Sequence, residues 1–175
     1  MKREELLQLI AAARSKSEAP DLRNADMNQM DLSGADLSGV NLRYANLSGA
    51  NLSEANLEGS DLTGANLNEA NLNKARMKSA QLMGANLIKA NLREVDLLDA
   101  NLRNANLTDA YLTSATLIET TMRGAGLKVA DMRQANLEEA NLVRADLTGA
   151  NVTQAQLRQV KSLKGAIMPD GTIHP

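Results

Sequence analysis

The chain contains no cysteine, no tryptophan and no phenylalanine, and its only aromatic rings besides His174 are Tyr44 and Tyr111. Without cysteine there is no disulfide framework, no thiol nucleophile and no thiolate metal site, which suits a reducing compartment. A single histidine close to the end, with no partner base in view, leaves little for acid–base chemistry. No phosphate-cradling glycine loop and no metal-ligand spacing is present either, so neither an enzyme nor a cofactor is expected. No apolar run approaches a membrane span, because the leucines are regularly followed by polar residues. Met1-Lys2-Arg3 leads into Glu4 and Glu5 instead of an apolar signal core, so the expected location is cytoplasmic. Charge of one sign is also missing. With 19 basic and 21 acidic residues the net charge is −2, and no bulk attraction to nucleic acid or membrane follows.

What the chain does have is a period of five. From Ala45 it reads A-N-L-S-G, A-N-L-S-E, A-N-L-E-G, S-D-L-T-G, A-N-L-N-E, A-N-L-N-K, and the register runs from Leu22 to Leu157 as 28 units. Five suits neither regular element. At about 100° per residue, leucines five apart drift around a helix; in a continuous strand they alternate between faces. They stay on one side only if the chain turns a corner in every unit. Alanine and leucine, two apart, then point inward from a short extended segment, with Asn or Asp between them pointing out. The centre is Leu in 23 units, Met at Met27, Met77, Met122 and Met132, and Val at Val152. One large and one small side chain per unit fill a narrow core.

The two residues after each leucine make the corner. Gly34, Gly39, Gly49, Gly59, Gly64, Gly84, Gly124 and Gly149, with Asn24 and Asn104, hold its second position, where a type II turn needs positive φ. Corners with Glu, Lys, Gln or Ser there can use type I geometry.

These units resemble the A-(D/N)-L-X-X motif of the pentapeptide repeat family, bacterial and especially cyanobacterial members included, from Pro20 to about Gln159. The resemblance implies an all-β solenoid, a right-handed square (quadrilateral) β-helix with four units per coil and so about seven coils. Such a stack is roughly 30–35 Å long at ordinary strand spacing. Some members resemble duplex DNA in size and charge and bind type II topoisomerases such as gyrase. Those are strongly acidic, dimerise end to end and often carry Phe at the centre, none of which this chain matches.

A repeat stack needs covered ends. Lys2 to about Ser15 reads as a helix with an apolar stripe of Leu6, Leu7, Ile10 and Ala13, so residues 1–19 are expected to form an α-helical cap. Residues 20–160 form the β-helix and 161–175 a C-terminal cap and tail, in which Leu163 and Ile167 cover the last coil, Met168-Pro169-Asp170-Gly171 turns, and His174 trails. Asp21, Asp26, Asp31 and Asp36 fill the first four outward slots. They lie on different faces and cannot converge on one ion, so their expected role is hydrogen bonding to turn backbone.

Function must then lie on surfaces. Sorted by four, one row carries Arg23, Arg43, Arg103 and Arg123 with Arg144 beside them, interrupted by Thr63, Met83 and Val143, and reads as a solvated basic face. In another, Leu98 and Ile118 become neighbours, outward-facing and apolar. Nearby the Asx slot is abandoned for four successive units, at Tyr111, Thr116, Thr121 and Gly126. The candidate protein-binding patch is therefore Leu98, Tyr111, Thr116 and Ile118. The expectation is a non-catalytic, monomeric scaffold for an unknown protein partner, with DNA mimicry toward gyrase as the alternative.

Overall fold

The computed structural model describes residues 2–175; Met1, which the sequence places in the N-terminal cap, lies outside them. Each outward residue from Asp21 to Asp131 pairs in parallel with the one twenty further on, beginning with Asp21 and Asn41 and ending with Asp131 and Asn151. Twenty residues are four units, so each level has four corners and four faces. Around Leu62 the pattern shows in full. The Leu62 amide donates to the Gln81 carbonyl at 2.7 Å, the Gly64 amide to the Met83 carbonyl at 2.9 Å, and the Asp61 amide back to the Val40 carbonyl at 3.0 Å. The Ala65 amide closes the corner onto the Leu62 carbonyl at 2.9 Å. Every unit thus satisfies its backbone on the levels above and below it.

Inward slots are dry. Leu62, Leu102 and the inward leucines between them are fully buried, with Ala65, Ala70 and Ala75 beside them. The two polar intruders are satisfied: Ser60 Oγ donates to the Leu57 carbonyl at 2.7 Å and Thr120 Oγ1 to the Leu97 carbonyl at 3.0 Å.

The corners differ from the sequence expectation. From Asn24 to Gly149 the second corner residue has positive φ in every unit, whether it is glycine, Glu54, Lys89 or Val129. None of them is type I. The first corner residues keep negative φ, and the i→i+3 hydrogen bond is present, which is the type II sense. The reason is the level below. The amide of the second corner residue must aim at the carbonyl of a first corner residue one level on, as Glu54 does to Asn73 at 2.9 Å. Only the left-handed conformation presents it that way.

Helix α1 (Arg3–Ser15) closes the first end. Leu6 and Ile10 are buried on the stack, with Leu7 packed beside them. Glu5 reaches back to the Lys2 amide at 2.9 Å, a capping contact at the helix start. Arg14 fastens the other end, pairing with Asp36 at 2.7 Å and donating to the Ser38 carbonyl at 2.9 Å.

At the opposite end the ladder does not run straight through Leu157. Thr153 starts a short helix, α2 (Gln154–Leu157), with Thr153 Oγ1 accepting the Gln156 amide at 3.2 Å. Gln156 Nε2 donates to the carbonyls of Met132 and Ala135 at 2.7 and 2.9 Å, doing for the level before it what a strand would do. Pairing then resumes one residue late, Asn141 with Ser162 and Asp146 with Ile167. A helix rises about 1.5 Å per residue against about 3.3 Å in a strand, so one extra residue is needed to cross that side. Ile167 consequently occupies an outward slot, and Ala166, Leu163 and Met168 contact the core in its place. The last residues fold back: Ile173 pairs antiparallel with Ile167, and the His174 amide donates to the Ala166 carbonyl at 2.8 Å.

Glycine at a corner is required twice over at Gly64, where φ is +67° and an added Cβ would lie 2.5 Å from the Tyr44 ring. Gly34, at φ +63°, faces open space. Gly34→Ala should therefore cost only the conformational penalty, about 1 kcal/mol, and Gly64→Ala at least about 1 kcal/mol more. Tyr44→Ala should remove that excess. Denaturant midpoints of the three variants and the double variant check this; equal costs for the two glycines would count against it.

Candidate interaction surface

The outward Asx residues set the chemistry of the faces. Each Oδ1 accepts the amide of its own first corner residue, as Asp31 does from Ser33 at 3.1 Å and Asn71 from Asn73 at 3.2 Å. Asn then donates Nδ2 to the Oδ1 one level before it. Asp31–Asn51–Asn71–Asn91 are linked this way at 3.1, 3.0 and 2.9 Å, and Asp26–Asn46–Asn66–Asn86 at 2.9, 3.2 and 3.1 Å. A carboxylate accepts but cannot donate, so it fits the first level of such a row, and Asp26, Asp31 and Asp36 each stand there beneath an Asn.

Tyr111, Thr116, Thr121 and Gly126 interrupt the rows at one level, one on each face. Leu98, Thr116 and Ile118 come together: Leu98 and Ile118 occupy the same corner position on adjacent levels, the Asp99 amide meeting the Ile118 carbonyl at 3.0 Å. All three are half-buried, so the aliphatic pair is less open than the sequence implies. Tyr111 stands apart. It pairs with Asn91 and Asp131 on the preceding face, beyond the corner at Thr113 and Ser114. Its ring, 42% exposed, sits under the Arg93 guanidinium at 4.4 Å.

Other exposed apolar groups are Tyr44 at 58% and Met83, both along the arginine row, and Val129, which the sequence did not single out. Nor did it single out a charged pattern. Asp99 and Arg103 flank one face, Glu119 and Arg123 flank it one level on, and Glu139 precedes Arg144 on the next. Sorting acids as well as arginines by twenty reveals it. Among the described residues no group of three His, Asp or Glu is placed to hold a metal, and no helix is long and apolar enough to cross a membrane.

One carboxylate is strongly perturbed. Asp131 takes both guanidinium hydrogen bonds from Arg133, Nε at 2.8 Å and Nη2 at 2.7 Å, plus the Thr113 hydroxyl at 3.1 Å. The Arg133 side-chain hydrogen bonds foremost hold its pKa at about 2, against a partial opposing effect of burial.

The family described as pentapeptide repeats (8 copies) matches residues 21–53, 50–87, 90–128 and 127–161. Solved structures similar to the chain include HetL, a pentapeptide repeat protein involved in heterocyst differentiation regulation from the cyanobacterium Nostoc sp. strain PCC 7120. It is 31% identical over 99% of this chain and 100% of its own, with a TM-score of 0.29. A pentapeptide repeat protein of the Arabidopsis thaliana thylakoid lumen is 28% identical over 84% and 86% of the two chains, TM-score 0.31. Full-length QnrB1, a plasmid-mediated fluoroquinolone resistance protein, is 22% identical over 86% and 84%, TM-score 0.29. No curated protein sequence matches.

Because the folded pKa of Asp131 lies below the usual carboxylate value, its contribution is complete above about pH 5 and is lost as pH falls toward 2. Solvent screens the pair, since the Arg133 side chain is 62% exposed, and its size is about 1 kcal/mol or less. Wild type should therefore lose more denaturant resistance between pH 5 and pH 2.5 than Asp131→Asn does. Identical pH profiles for the two would show that the Arg133 pair contributes nothing.

Proposed function

The chain belongs to the pentapeptide repeat family, and on that premise we propose that it is a non-catalytic scaffold that binds a protein partner through a patch on one solenoid face. In this reading it is a right-handed square β-helix of about seven coils working in the cytoplasm, with residues 1–19 and 161–175 as its caps. Members of the family are generally non-catalytic. The faces are flat or convex, and they hold side chains at fixed positions along an axis without requiring movement.

The observation that carries the patch is the stacking of Leu98 on Ile118 beside Thr116, at the level where the Asx rows are given up. Asx at that slot serves backbone and neighbour alike, so replacing it sacrifices stabilising hydrogen bonds, and a gain elsewhere is needed to offset them. Tyr111 forms the edge of the patch around the corner. The second reading, a DNA mimic acting on gyrase, draws less support: Arg103, Arg123 and Arg144 stand among the acids, and no continuous acidic surface like that of a phosphate backbone results.

Leu98→Ser with Ile118→Ser tests the patch. Both side chains are half-buried, so the double variant should lose about 1–2 kcal/mol or less. Capture of the partner from the source cell should fall at least about tenfold, since buried apolar anchors dominate interface energetics. Undiminished capture, or a loss of several kcal/mol in the melt, would defeat the proposal. Inhibition of gyrase abolished by neutralising the Asp and Glu residues would favour the second reading.

A further inference from the structure

The face whose outward row is Asn101, Thr121 and Asn141 is bordered by charge of opposite sign on its two edges. Asp99, Glu119 and Glu139 occupy the corner position just before it on three successive levels. Arg103 and Arg123 stand just after it on the first two, and Arg144 sits at the same corner on the third. All six are exposed, and among the described residues none makes a salt bridge. That is unlike the first levels, where Arg23 pairs with Asp21 and Arg43 with Asp61. Between the edges lie only short, half-buried side chains, and an open groove of about 410 Å³ runs along the acidic edge, with Lys161 at its foot.

We infer that this face pairs two copies of the chain as parallel rods about a twofold axis running along the rods. The symmetry decides the arrangement. Rotation about an axis parallel to the rods exchanges the left and right edges of the face and leaves height unchanged. The acidic edge of one copy then meets the basic edge of the other at equal levels: Asp99 faces Arg103, Glu119 faces Arg123, and Glu139 faces Arg144, each twice. An axis across the rods would set acid on acid and base on base. Levels about 4.8 Å apart give both edges the same spacing, so the match does not drift along the stack. The pairing uses the charges of Asp99 and Glu119 and not the apolar side chains of Leu98 and Ile118 beside them at that corner, so either surface can fail without the other.

Three levels of one flat polar face make a small interface, at the weak end of specific association, and its attraction is electrostatic. Sedimentation equilibrium at roughly 20 mM and 500 mM salt reads it, because screening at the higher strength should raise the dissociation constant at least about tenfold. Arg103→Glu, Arg123→Glu and Arg144→Glu together should abolish the dimer. Adding Asp99→Lys, Glu119→Lys and Glu139→Lys to that chain restores the wild-type net charge and exchanges the two edges, and should restore the dimer. Thr121→Cys puts the sole thiol of the chain at the middle of the face, where it meets its own mate, so mild oxidation should give a covalent dimer at low salt. Ser114→Cys, at a corner away from the face, should not. A wild-type chain monomeric at low salt and high protein concentration, a dimer indifferent to edge reversal, or equal cross-linking at both cysteines would each overturn the inference.

Discussion

Everything in this molecule hangs on one hydrogen bond, from the amide of a second corner residue to the carbonyl of a first corner residue one level on, as from Glu54 to Asn73. It dictates a left-handed corner whether or not the residue there likes one. For non-glycine residues that conformation costs on the order of 1 kcal/mol, and eighteen corners between Asn24 and Arg144 bear it. The cost is tolerable because each corner is stacked on both sides and each level adds the same buried leucines and the same ladder bonds. Stability is then a matter of neighbours, level upon level, as in other solenoids.

The rest follows from keeping that stack in register. Every inward slot must be filled, in most units by leucine and alanine, since a void at one level would part the two beside it. Asparagine is suited to the outward slot because its amide both accepts from its own corner and donates to the preceding level, whereas aspartate only accepts, as Asp31 does at the start of its row. The ends are solved differently. One receives a helix laid across the open core and locked by Arg14; the other replaces a strand with α2, lets Gln156 take over its hydrogen bonds, and folds the tail back as a hairpin. Surfaces freed from these duties, around Ile118 and along the edges of the Thr121 face, are where partners are proposed.

The period, the inward leucines and the N-terminal helix were legible in the sequence because each depends on residues near one another or on simple spacing. Corner geometry was not. Turn preferences are read residue by residue, and Lys89 or Val129 gives no local sign that a carbonyl on the next level will dictate its φ. Helix α2 was hidden because Ala155-Gln156-Leu157 imitates another unit, although Thr153 and Gln156 carry the spacing of a capping box. The late Leu163 suggests the end of the register when it marks its resumption after one extra residue. Tyr111 and Ile118 are close in number, yet a corner separates them, and four-unit sorting applied to every residue type is what places them on different faces.

Val129 offers the most direct test of the corner constraint. It is β-branched, has φ +57°, and its side chain is 60% exposed, so little packing is lost when it is removed. If stacking imposes the left-handed corner against the preference of valine, Val129→Gly should raise the unfolding free energy by roughly 1 kcal/mol, despite the greater freedom of glycine in the unfolded chain. The measurement is the guanidinium midpoint at unchanged slope. A glycine variant less stable than wild type would contradict the account.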